Sequence, residues 1–175
     1  RVHGLSEEMR RIKENVGMMT RQIEYYLDFE KIEQGKAVYS HDRILDLRTA
    51  VEYTAALFRE TAARKRVTVS TSLCAYAFIR IDPIAIERVI NNLLDNAVKY
   101  TEPGGTVEIT LEQQPDLISL TVKDTGMGMN AEQVKNIFIP FYQAAGGRYA
   151  SHSIGIGMSV VKHIIDDIGG RISIE

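Results

Sequence analysis

Seven apolar residues near the start of the chain, Leu5, Met9, Ile12, Val16, Met19, Ile23 and Tyr26, are spaced by 4, 3, 4, 3, 4 and 3 positions. That is a heptad seam held over three repeats, the pattern of a coiled coil or a long bundle helix. Glu7, Glu8, Arg10, Arg11, Lys13 and Glu14 fill most of the places between. Near its end the seam shifts, and Phe29 and Ile32 take over from the position expected at Glu30. A helix of about 30 residues is about 45 Å long, and no other segment is long enough to cover it. The seam therefore predicts packing against other helices, from a second copy or from upstream sequence. A core helix of the main domain is the competing reading. Gln34-Gly35 is expected to end the helix, with the glycine as C-cap.

A length of 175 residues fits one domain plus an appendage. Lys+Arg 21 against Asp+Glu 23 leaves a net charge of −2, which argues against a nucleic-acid surface. A single cysteine, Cys74, excludes an internal disulfide and a multi-cysteine zinc site. The four histidines, His3, His41, His152 and His163, show no ligand spacing. No apolar run approaches the roughly 20 residues of a membrane helix, and no signal peptide opens the chain. These features predict a cytoplasmic protein, with any inner-membrane anchor in segments absent from these residues.

Residues 36–175 read as an α/β unit. Ala37-Val38-Tyr39 suggests a short strand, and Asp46 caps an amphipathic helix carrying Leu47, Val51, Thr54, Phe58 and Ala62. Val67, Val69 and Thr71 alternate as a strand, and Phe78–Ile81 suggests another. Asp82-Pro83 supplies an N-cap with proline at N1. The helix it opens has a wide apolar stripe: Ile86, Val89, Ile90, Leu93, Leu94, Ala97 and Val98. Val107, Ile109 and Leu111, then Ile118, Leu120 and Val122, alternate on either side of Gln114-Pro115-Asp116, which predicts an antiparallel hairpin. Asn130 caps a short helix to about Ile137, residues 142–153 form a loop without period, and a helix runs from about Gly157 to Ile168. Residues 171–175 alternate as a final strand, where the sheet is expected to be incomplete.

Four segments carry candidate chemistry. Asn92 and Asn96 lie four apart on one helix face, with Lys99 on the same side. Carboxamide oxygens suit Mg²⁺, and a lysine meets phosphate as a point charge; a solvated polar stripe would look the same. Asp124-Thr125-Gly126-Met127-Gly128 follows a strand, where the carboxylate can accept from an exocyclic amine and the glycines allow a sharp turn. Phe138-Ile139-Pro140-Phe141 suits a core anchor that hinges the following loop. Gly155-Ile156-Gly157-Met158 opens a helix whose N–H groups suit phosphate. It completes neither a P-loop nor GxGxxG, whose third glycine would fall on Val160.

In order and spacing these segments resemble the catalytic and ATP-binding domain of bacterial sensor histidine kinases, within the gyrase–Hsp90–histidine kinase–MutL fold. Residues 92–100 resemble the N box, 124–128 the G1 box, 138–141 the F box and 155–158 the G2 box. Residues 29–36 resemble the end of the second helix of the family's dimerisation domain, in keeping with the seam. The resemblance implies a Bergerat-type two-layer sandwich of mixed sheet and helices over residues 36–175, preceded by a long bundle helix at 1–35. Asn96 with Asn92 would hold Mg²⁺ on the phosphates of ATP, Lys99 would contact phosphate, and Tyr100 would border adenine or ribose. Asp124 would read the adenine amine. Gly126, Gly128, Gly155 and Gly157 would bring backbone close to the nucleotide, and Arg148 would reach the γ-phosphate from a lid at 142–153. The implied partners are a second copy, joined through the N-terminal helix and a missing first helix, and a response regulator receiver domain.

The departures are informative. His3 is followed by Gly-Leu-Ser and lacks the family's acidic residue and proline, so the acceptor histidine is expected upstream. Ser153 stands where the G2 box often has a glycine. ATP-hydrolysing relatives such as gyrase and MutL place a Glu base four residues before the metal-binding Asn. Here that position is Asn92, an amide that cannot act as a base. A hydrolase is thereby disfavoured, and a degenerate nucleotide-sensing dimerisation module is the remaining alternative.

Overall fold

A computed structural model of the chain describes residues 2–36, 39–143 and 154–175. In chain order the elements are α1 (Val2–Glu33), β1 (Ile44–Asp46), α2 (Leu47–Arg64), β2 (Thr68–Leu73), β3 (Phe78–Arg80), α3 (Pro83–Tyr100), β4 (Thr106–Gln114), β5 (Leu117–Asp124), α4 (Ala131–Asn136) and α5 (Gly157–Asp167). The sheet is mixed: β2 runs parallel to β4, and β4 pairs antiparallel with β5. β1 and β3 form a separate antiparallel ribbon.

The alternation in β4 decides which face is covered. Val107, Ile109 and Leu111 are buried, while Glu108 and Glu112 face out. Against them pack Val51 and Ala55 of α2, Ile90 and Leu94 of α3, and Val160, Val161 and Ile164 of α5. Each of the buried Val, Ile and Leu side chains stabilises by about 1.5–3 kcal/mol relative to exposure.

The ends of the helices follow local chemistry. Asp46 Oδ1 accepts from the N–H groups of Arg48 and Ala77, both at 3.1 Å, which ties the start of α2 to the approach to β3. Its carboxyl lies below the usual range, chiefly through the Ala77 bond. Gly35 takes φ +66°, and the pair of bonds Gly35 N to Ile32 O and Lys36 N to Lys31 O closes α1 as a Schellman motif. α4 has a full capping box between Asn130 and Gln133.

α1 presents two different surfaces. Met9, Ile12, Val16, Met19 and Ile23 are exposed along the seam, whereas Tyr25, Phe29 and Ile32 pack against the core. The seam shift read in the sequence coincides with this change of partner.

The strands differ from the sequence expectation at three places. β1 escaped the sequence reading because three residues are too few to show alternation. Of the expected strand at 37–39, Ala37 and Val38 lie outside the described residues and Tyr39 is in no strand. The final strand is corrected. Ile172 and Ile174 are half-buried between exposed neighbours, but among the described residues no strand pairs with 171–175. Alternation specifies faces; a strand also needs a hydrogen-bonded neighbour.

At the start of α3, Asp82 Oδ1 accepts from Ile84 N (2.7 Å) and Ala85 N (3.3 Å), and Oδ2 from Ser40 N (3.1 Å). Burial alone would raise its pKa, but these three bonds, with His41 nearby, hold the carboxyl below the usual range. Asp82→Ala is expected to cost about 1–2 kcal/mol at neutral pH. A lowered folded pKa means stability present above the unfolded value of about 4 and lost as pH falls through the folded one. The difference between Asp82→Ala and the parent in urea unfolding should therefore shrink as pH falls below the ordinary carboxylate range of about 4.

Candidate functional site

α3 is buried over most of its circumference, through Ala85, Ile86, Val89, Ile90, Leu94, Ala97 and Val98. Asn92, Asn96 and Lys99 lie together at one edge of its polar side, which also carries the exposed Glu87 and Asp95. Asn92 is itself buried, and its Nδ2 donates to Arg88 O at 3.0 Å. The amide oxygen is thereby turned toward α5: a methyl group at Gly157 would sit 2.1 Å from Asn92 Oδ1. Asn96, Lys99 and Tyr100 are half-buried, and Lys99 Nζ lies 5.0 Å from the centroid of the Tyr100 ring.

The turn after β5 abuts the far end of the same helix. Asp124 Oδ1 accepts from Gly126 N at 2.9 Å, which closes the turn and leaves Oδ2 for another donor. A side chain at Gly126 would meet Tyr100 O at 2.6 Å, and Met127 N donates to that oxygen at 3.4 Å. Gly128 differs: nothing lies within 4 Å of its would-be Cβ, and its φ of +65° is what favours glycine.

The third part is the start of α5, which has no side-chain N-cap. Its N–H groups and positive dipole end are therefore available to an anion. Phe141 N donates to Gly155 O at 2.9 Å, pinning together the two ends that flank residues 144–153. A Cβ at Gly155 would lie 2.6 Å from Tyr142 O. Arg148 and Ser153, singled out in the sequence, lie outside the described residues.

Asn92, Asn96, Lys99, Tyr100, Asp124, Gly126, Gly128, Gly155 and Gly157 all line one open cleft of about 2460 Å³. Ligand pockets run to about 300–1,000 Å³, so one small molecule fills only part of it. Arg10, Lys13 and Arg21 of α1 also line it.

The sequence reading missed the cluster that docks α1 beside this site. Asp28 is buried, accepts from Tyr39 Oη at 2.8 Å, and pairs with Arg88 Nε at 2.9 Å. The Arg88 guanidinium lies 5.3 Å from the Tyr25 ring centroid. Burial pushes the Tyr25 phenol up to about 12, with Arg88 acting against it. Burial and the bond to Asp28 raise Tyr39 further. Arg88 precedes Asn92 by one turn, so α1 is anchored next to the site. Phe29 adds an edge-on contact with Phe141, centroids 5.3 Å apart. The one available signal was an acidic residue where the seam shifts.

Residues 81–175 match the family described as histidine kinase-, DNA gyrase B- and HSP90-like ATPase. The chain is 32% identical over 184 residues to the sensor protein EvgS of Escherichia coli (strain K12), covering 98% of this chain and 15% of EvgS. It is 27% identical over 167 residues to the signal transduction histidine-protein kinase BaeS of the same strain, covering 95% of this chain and 36% of BaeS. It therefore spans well under half of either relative. The solved structure of the histidine kinase ThkA in complex with response regulator protein TrrA shares the fold. Its TM-score is 0.66 at 20% identity, covering 95% of this chain and 45% of that one.

Gly157→Ala is expected to destabilise the chain by about 1–3 kcal/mol, because the added methyl overpacks against Asn92. The side-chain amide resonances of Asn92 in a ¹⁵N spectrum should shift while those of Asn136, which does not line the cleft, do not.

Proposed function

The chain belongs to the histidine kinase-, DNA gyrase B- and HSP90-like ATPase family, and on that premise we propose that it positions Mg-ATP for γ-phosphoryl transfer to a histidine upstream of these residues. Its relatives are sensor histidine kinases, and it carries their type of ATP-binding catalytic domain. The observation that carries the reading is a convergence. The polar face of α3, the Asp124–Gly128 turn and the uncapped start of α5 meet on one cleft, where side chains at Gly126, Gly155 and Gly157 would collide with neighbours.

The roles follow from chemistry. Asp124 Oδ2 accepts the adenine amine, Tyr100 borders adenine or ribose, and Lys99 places a point charge on phosphate. The start of α5, with Gly155 and Gly157, receives phosphate on backbone N–H groups. Arg148 is assigned to the γ-phosphate from the segment 144–153. Among the described residues no three His, Cys, Asp or Glu side chains could together hold a metal. The donors at the site are the carboxamides of Asn96 and Asn92, which fit a hard cation that arrives with phosphate and keeps part of its water shell. Bound there, Mg²⁺ supplies charge neutralisation on the phosphates. Because Asn92 is an amide, the chain offers no base to activate water at that position, and transfer to a histidine needs none.

We assign residues 1–35 to the second helix of the dimerisation domain and 36–175 to the catalytic domain. The exposed seam from Met9 to Ile23 supports a homodimer made with a first helix from outside these residues. The ThkA–TrrA complex supports a response regulator receiver domain as partner. Among the described residues no helix is long and apolar enough to cross a membrane. We place this part in the cytoplasm, with any anchor in other segments.

Thermal unfolding with ATP, with and without Mg²⁺, tests the reading. Ligand at about 100 times its dissociation constant should add roughly 2.7 kcal/mol, and Asn96→Ala should abolish that gain. GTP should not substitute; equal stabilisation by GTP would remove the role of Asp124. Residues 36–175 alone should fold and bind Mg-ATP, because removing α1 opens Arg88 and Tyr39 to water and strands no buried charge. An unfolded product in circular dichroism would instead make α1 part of the core.

A further inference from the structure

A helix leaves its last four carbonyls without intrahelical partners. In α3 these belong to Ala97, Val98, Lys99 and Tyr100, and all four are engaged. Ala97 O accepts from Thr101 N at 3.1 Å and Thr101 Oγ1 at 2.7 Å. Tyr100 O accepts from Met127 N in the turn after β5. The middle two share one donor: Lys65 Nζ reaches Val98 O at 2.9 Å and Lys99 O at 2.6 Å.

Those two carbonyls belong to the peptide groups on either side of the Lys99 Cα. A single ammonium therefore grips the backbone that aims the Lys99 side chain, and the second peptide group also carries the nitrogen of Tyr100. The grip is itself anchored. Lys65 is the C-cap of α2, with its N–H on Ala62 O at 2.9 Å. Arg66 follows in the left-handed region at φ 60°, unfavourable for a residue with a side chain, and its carbonyl accepts from Gly104 N at 2.8 Å. The chain thus adopts a costly turn at the point where Lys65 meets α3. A cation suits the place, since the negative end of the helix dipole lies there.

We propose that Lys65 is a positioning residue for nucleotide binding: by holding Val98 O and Lys99 O, it sets the backbone from which Lys99 and Tyr100 reach the ligand. This rests on the ATP-site reading above. Without the ammonium, two half-buried carbonyls lose their partner and the last turn of α3 frays. Lys99 sits at the centre of that turn. Asn92 and Asn96 lie deeper in the helix and keep their place.

The test is a double-mutant cycle on the 175-residue chain, reading Mg-ATP affinity by calorimetry well below each variant's melting temperature. Lys65→Met is expected to weaken binding about tenfold in the parent and less than about twofold in a Lys99→Ala background, because neighbours acting through one another are not additive. Lys65→Arg, which can reach both carbonyls, should restore most of the affinity. Lys65→Gln, with a neutral donor, should fall between and serves if the Met variant does not fold. Unchanged affinity with only a lower melting temperature would reduce Lys65 to a structural cap and overturn the proposal. Equal losses in both backgrounds would overturn it too, by showing that Lys65 does not act through Lys99. A parent chain that fails to bind Mg-ATP would sink the nucleotide reading itself, and the positioning role with it.

Discussion

The whole arrangement depends on the burial of α3. Its apolar face is wide enough to be covered at once by α2, the sheet and α5, and Ile90 and Leu94 are almost fully buried. With that face committed to the core, Asn92, Asn96 and Lys99 are held on the edge of the polar side that borders the cleft. Removing a buried Leu side chain in such a core costs about 2–5 kcal/mol, more than any single cap supplies. The site's geometry is therefore a consequence of core packing, and the caps at Asp82 and Lys65 trim its two ends.

The second organising feature is the divided surface of α1. Its early turns expose a regular apolar seam, while its last turns join the core through Tyr25, Phe29 and Ile32. Between these lies the buried Asp28, with Tyr39 and Arg88. Losing one partner of a buried ion pair costs about 3–5 kcal/mol, whereas the intact pair adds little over an apolar substitute. The cluster is thus better understood as fixing the angle at which α1 packs on the rest of the chain. It does so one turn from Asn92, and Phe29 meets Phe141 at the edge of the same site.

Much of this was legible in the residues. The heptad seam, the caps at Asp46, Asp82 and Asn130, the Gly35 stop and the β4–β5 hairpin each depend on residues within a few positions of one another. Local rules suffice for them. The order of the four motifs added the family, and the absence of a Glu at the position of Asn92 narrowed the chemistry. Alternation at 171–175 failed as a strand signal because a ladder partner is not a local property. The three residues of β1 were too few to announce themselves.

The sequence by itself determined which faces are apolar and where helices begin and end, and it named the candidate side chains for a nucleotide site. Only the tertiary structure decided what those side chains meet. Gly157 against Asn92, Gly126 against Tyr100 O, Lys65 on the end of α3 and Asp28 under Arg88 all join segments far apart in the chain. Periodicity constrains a residue relative to its own element. Contacts between elements follow from how whole apolar faces pack, and packing is settled only when every face has found its cover.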